Sequence, residues 1–166
     1  IQNRKNEIRS FLLHDKNVVD IDIRIAAQSI LLWLARRHGF EDGDVYMLEE
    51  YVHDREGVIK NHFKSMPLKA AKQLINTATN DDSLNTRGNK WLNGYMNNIK
   101  TLNDKFSTVP EFALIKNISN QKKSNKNAQK NYAGSFMSNL YQHFEDKIIA
   151  EVIKFFGTKQ VFAPMF

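Results

Sequence analysis

The chain has 166 residues, 42% hydrophobic and 25% charged, a balance that excludes wholesale disorder and suits one domain with a sizeable core. Cysteine is absent, which excludes a disulfide framework, a thiolate nucleophile and a cysteine-bearing zinc site. The formal net charge is +6 and it is segregated: residues 1–40 carry +3, 41–56 carry −6, 57–80 carry +4, 81–110 carry +1 and 111–166 carry +4.

Only three prolines and seven glycines punctuate the chain, so the pattern favours long helices over many short strands. No apolar run approaches the roughly 20 residues that cross a bilayer, and the N-terminus lacks the apolar centre of a secretory signal. The expected partner is therefore not a membrane, and the expected location is the cytoplasm. The chain begins at Ile1 without a methionine, as a trimmed fragment does.

Residues 2–14 predict a short polar helix with Ile8, Phe11 and Leu12 on one side, followed by a break at 15–17. The clearest helix is expected over 20–38. Ile23, Ala26, Ala27, Ile30, Leu31 and Leu34 recur at helical spacing, Asp20 or Asp22 caps its start, and Arg36, Arg37, His38 and Gly39 form its end. The run Leu31, Leu32, Trp33, Leu34 wraps apolar surface around this helix and makes it the expected central element.

An acidic connector at 41–44 leads to Leu48, Val52, Ile59, Phe63 and Met66, a pattern that ends at Pro67. Two arrangements fit: one amphipathic helix that tolerates Gly57, or a helix–turn–helix with Leu48–Val52 as support and Gly57–Met66 as the recognition helix. Against the second, His53 stands where the turn usually needs glycine, Glu49 where a small residue is expected and Asp54 where an apolar one is. Leu68–Ala78 predicts a further helix entered at Pro67, with Leu68, Ala71, Leu74 and Ile75 inward.

Residues 80–88 read as a loop and a candidate hinge. Lys90 to Phe106 then predicts a helix burying Trp91, Tyr95, Ile99 and Leu102, and Pro110 starts a short one through Ile118. From Tyr132 to Phe156 a last long helix carries Phe136, Leu140, Phe144, Ile148, Val152 and Phe155, closed by Gly157. The apolar tail at 160–166 must fold back or bind something. The expectation is an all-α single domain, a bundle of about five to seven helices with no regular sheet.

Between Glu111 and Glu145 there is no acid. Lys116, Lys122, Lys123, Lys126 and Lys130 stand there among asparagines and glutamines, a stretch with too few apolar groups to bury itself. Such lysines hold a nucleic-acid backbone as point charges, giving affinity without sequence reading. A second basic face comprises Lys60, Lys64, Lys69 and Lys72, and in the helix–turn–helix arrangement Lys60, Asn61 and Lys64 meet the groove. Trp91 and Tyr95 beside Arg87 and Lys90 offer a base-stacking surface or, on the commoner pattern, core.

The residues thus read as a small basic nucleic-acid-binding protein, DNA ahead of RNA, ahead of an enzyme. Neither a catalytic set, nor a metal site, nor a cofactor is expected. The alternative is an interaction module that docks a protein partner through the acidic run at 41–56 and the C-terminal tail.

Two spacings resemble a known signature. Arg9 precedes His14 with four residues between, and Arg55 precedes His62 with six, similar to the Arg-x4–6-His motif of the HEPN ribonucleases. The residue after the arginine is usually Asn, Asp or His in that family and is Ser10 or Glu56 here. The resemblance implies an all-helical ribonuclease in which the arginine holds phosphate and the histidine moves a proton at a dimer interface.

Overall fold

The computed structural model describes residues 25–121 and 132–157, which form seven α-helices, one 3-10 turn and no strand among the described residues. The all-α fold is therefore as expected. The chain divides into two compact units, one of residues 25–146 and the other of residues 1–24 with 147–166. The helix expected over 2–14, the break at 15–17 and the 160–166 tail lie outside the described residues.

Helix α1 spans Ala26–Arg37. Its first residue follows Ile25, which takes a left-handed conformation (φ 56), and the expected start at 20–24 lies outside the described residues. That conformation costs a β-branched residue about 1–3 kcal/mol. Its C-terminus is as expected: Gly39 adopts φ 70, its N–H meets the Arg36 carbonyl, and the Phe40 N–H reaches back to the Ala35 carbonyl. These two bonds close the last turn and satisfy carbonyls that would otherwise be orphaned. Leu31, Leu32 and Leu34 are buried, while Trp33 is half exposed between the guanidinium of Arg37 and the edge of Phe144.

The next segment is two helices, α2 (Asp42–His53) and α3 (Arg55–His62), joined at the single residue Asp54. The unbroken-helix arrangement is thereby corrected. The joint is also shorter than the three- to four-residue turn of a helix–turn–helix, and α3 ends at His62 rather than Met66. The cause is local. Asp54 leaves helical geometry and its carboxylate accepts the Gly57 N–H at 2.9 Å, starting a new helix. A side chain at Gly57 would collide with that carboxylate, so glycine stands there for lack of room.

Helix α4 spans Leu68–Asn80 and buries Ala71, Ile75, Ala78 and Thr79. Leu68, expected inward, is 51% exposed, because the first residue of the helix precedes the turn that meets the core. Helix α5 spans Lys90–Thr108, capped by the Asn89 side chain on the Leu92 N–H, and buries Trp91, Tyr95, Ile99, Leu102 and Phe106. It packs against α2 and α4, and α2 approaches closely enough that Met47 Cε lies 3.3 Å from where a Cβ on Gly94 would sit.

The 3-10 turn Pro110–Phe112 leads into α6 (Ala113–Gln121), which extends three residues past the expected end at Ile118. Helix α7 spans Tyr132–Gly157. Phe136, Leu140 and Phe144 are buried in the 25–146 unit, with Phe144 edge-on to Phe112. Farther along, Ile148 and Phe155 are exposed, against expectation. A strict spacing of four advances about 40° per step on a helix of 3.6 residues per turn, so by Ile148 the stripe has wound about 120° from Phe136.

One polar chain runs through this apolar interior. Thr79 Oγ1 donates to the Ile75 carbonyl, accepts from Gln28 Nε2 at 3.0 Å and pairs with the Tyr95 hydroxyl at 2.8 Å. All three side chains are at most 2% exposed. Because Thr79 spends its proton on Ile75, Tyr95 donates to it, and burial pushes the Tyr95 phenol well above its ordinary range.

Three outcomes follow from this packing. Thr79→Val should cost about 1–3 kcal/mol in urea unfolding, since Gln28 and Tyr95 lose their shared partner, while Tyr95→Phe should cost about 1 kcal/mol. Asp54→Ala should cost about 1 kcal/mol through the lost cap. Gly57→Ala should be near neutral, because about 1 kcal/mol of helix propensity is offset by displacement of the cap, and should become stabilising in the Asp54→Ala background.

The third concerns acid. Asp44 is held below its ordinary carboxyl value of 3.8, first by its hydrogen bond to Lys105, against desolvation, and further by the Glu41 N–H. A depressed carboxyl contributes stability above its unfolded value and loses it as pH falls through the folded one. In thermal melts Asp44→Asn should therefore be less stable than the native chain at pH 7, and the difference should close below about pH 4.

Candidate nucleic-acid interface

The seven acids of residues 41–56 were one of two competing docking surfaces in the sequence. Five of them are tied to other groups. Arg36 holds Asp42 at 2.5 Å and Glu49 at 2.7 Å, Lys105 holds Asp44, Glu50 accepts the Trp91 indole N–H at 2.8 Å, and Asp54 caps α3. The cause is chain order: α2 begins just after the basic end of α1 and lies along α5, so its carboxylates meet cations and donors already in place. Exposed pairs of this kind contribute little stability, and Arg36 and Lys105 offset two of the seven charges that a basic partner would read. Glu41 and Glu56 remain exposed.

The lysines that follow are differently placed. Lys60 and Asn61 lie on the exposed side of α3, Lys64 lies in the turn after it, and Lys69 lies on α4. Among the described residues Lys60, Lys64 and Lys69 make no ion pair. Lys60, Asn61 and Lys64 share a shallow groove of about 550 Å³ with Glu56, whose floor includes Ile59 and Phe63 and whose end is Leu68. Two buried anchors, Ile59 and Phe63, fix the backbone from which these cations extend. Val58 and Ile59 supply the packing that an eight-residue helix needs to persist.

Lys72, the fourth member of the expected basic face, belongs to a different cleft, beside Arg55 and Asn76. The four lysines are therefore not one strip. Lys116 is also committed elsewhere: its ammonium donates to the Ser107 carbonyl at 3.0 Å and is half-buried at the end of α5. There it satisfies one of the last carbonyls of that helix. Lys122, Lys123, Lys126 and Lys130 lie outside the described residues.

Trp91 and Tyr95 are 7% and 0% exposed and stack on each other at 5.2 Å. The base-stacking surface is thereby corrected to core. Of the two ribonuclease-like spacings, Arg9 and His14 lie outside the described residues. Arg55 and His62 occupy opposite ends of α3, about 10 Å apart by helical rise. Arg55 lines the cleft with Lys72, while His62 stacks on Trp91 at 5.8 Å, so the pair does not converge on one phosphate within a chain. Sequence reasoning passed over Arg55 as a site residue in its own right. Its position one helical turn after Tyr51 and directly after a capping aspartate was the available signal.

No helix among the described residues is long and apolar enough to cross a membrane. Set against family models, curated proteins and solved structures, the chain matches none, and the functional argument rests on this surface.

Proposed function

We propose that the protein binds nucleic acid, duplex DNA ahead of RNA, through backbone contacts from Lys60, Asn61 and Lys64. The observation that carries this reading is an asymmetry. Three of the seven acids of residues 41–56 pair with Arg36 and Lys105, while Lys60, Lys64 and Lys69 stand exposed a few residues later and make no ion pair among the described residues. The uncompensated charge on that face attracts a polyanion and releases its counterions, and the Asn61 amide adds a hydrogen bond to phosphate or to a base edge.

Burial of Trp91 and Tyr95 supports duplex over single strand, because it removes the stacking platform on which unpaired bases are usually held. The engagement of five of its seven acids within the fold weighs against the acidic run as a dock for a basic protein. Lys122, Lys123, Lys126 and Lys130 supply further cations in this reading.

Mobility-shift titrations of a 20-base-pair duplex across salt concentrations test it. Lys60→Gln with Lys64→Gln should weaken binding similarly on unrelated sequences and lower the slope of log K against log salt by about 2. A slope unchanged in the double variant, or no binding at low salt, rejects the assignment.

A further inference from the structure

On the other side of α3 lies a cleft of about 390 Å³, within the size range of small-ligand sites. Its walls come from five helices. Arg55 opens α3, Tyr51 comes from the turn before it, Lys72 and Asn76 lie one turn apart on α4, Gln28 comes from the first turn of α1, and Glu145 comes from α7. All of these residues belong to the 25–146 unit.

Two features distinguish the cleft from a solvated dent. Arg55 is half-buried, and its Nε is enclosed by protein without a hydrogen-bond partner. A guanidinium N–H enclosed by protein normally meets an acceptor, and left without one it is costly to hold. Here neither Arg55 nor Lys72 forms an ion pair among the described residues, although Glu145 borders the same space. Opposite charges thus face one cavity without meeting.

The hydrogen-bonding pattern extends this. Gln28 Nε2 donates to Asn76 Oδ1 at 3.0 Å and to Thr79, which orients the Asn76 amide and leaves its NH2 as a donor at the cleft. Donors from Arg55, Lys72 and Asn76 therefore line the same cleft as one carboxylate acceptor, Glu145. Tyr51, 1% exposed, adds an aromatic wall.

We infer that this cleft binds a small phosphomonoester whose organic part carries hydroxyl or amino groups, of about nucleoside-monophosphate size. The Arg55 fork and the Lys72 ammonium take the dianionic phosphate, which suits two cations better than a single carboxylate does. Glu145 accepts from the organic part, and the ligand spans the gap that keeps the charges apart. The site is separate from the Lys60–Lys64 groove, so this inference stands or falls independently of the nucleic-acid reading.

Titration calorimetry of the full chain with adenosine monophosphate, and separately with inorganic phosphate, tests it, alongside thermal melts. Adenosine monophosphate should bind and raise Tm, more tightly than phosphate alone. Arg55→Met, which keeps the aliphatic stem, should weaken both by at least about tenfold. Glu145→Gln should weaken the nucleotide and leave phosphate unchanged, and Lys60→Gln with Lys64→Gln should change neither.

Lys72→Met, at a half-exposed position, provides a second cation variant should Arg55→Met fold poorly, and it should weaken both probes severalfold. Absence of heat and of a Tm shift at millimolar concentrations of either probe overturns the proposal. So does nucleotide affinity unaffected by Lys72→Met, or phosphate bound as tightly as the nucleotide. Displacement of the nucleotide by an oligonucleotide of equal phosphate concentration would assign the cleft to a nucleic-acid backbone instead, and also overturns it.

Discussion

Three helices distant in sequence meet at one hydroxyl. Thr79 on α4 accepts from Gln28 on α1, pairs with Tyr95 on α5, and donates to its own helix, all in an interior that excludes water. The leucines and phenylalanines around this chain supply most of the driving force for folding, but apolar contact is non-directional and tolerates a sliding helix. Hydrogen bonds with fixed partners do not. A shift of α1 or α5 by one residue would strand at least one buried polar group, so the network selects one register among packings of similar apolar area.

The same register decides where charge is exposed. With α1 fixed, Arg36 at its end reaches both Asp42 and Glu49 on α2, and with α5 fixed, Lys105 reaches Asp44. Three acids of the run are thus paired with cations that the fold brings to them. Lys60 and Lys64 make no such ion pair among the described residues, although Glu56 shares their groove.

What the sequence made legible was whatever is periodic or punctuated. Trp91, Tyr95, Ile99 and Leu102 declared a buried helix by spacing, and Arg36 to Gly39 declared the end of α1 by chemistry. Features that depend on a distant partner were not legible. Gln28 and Thr79 drew no reading from the sequence, because the atoms that satisfy them are about fifty residues away from each other. Lys116 read as part of a solvated stretch because the Ser107 carbonyl it meets is exposed only by the end of α5. The Phe136–Phe155 stripe misled for a geometric reason: a spacing of four looks like one face over two turns and is a spiral over five.

Helix α3 shows how few residues can separate two surfaces. Arg55 and Lys60 are five positions apart, about 140° around the helix axis, which puts the guanidinium in the cleft with Lys72 and the ammonium in the groove with Lys64. Eight residues are too few to hold a helix by backbone bonds alone, so the division between the surfaces depends on what anchors each end. Val58, Ile59 and Phe63 anchor it by burial, and the Asp54 cap fixes where it starts. Without that cap the entry of the chain into α3 would be unconstrained, and Arg55, the first residue after it, would lose its bearing before any other cation on the helix did.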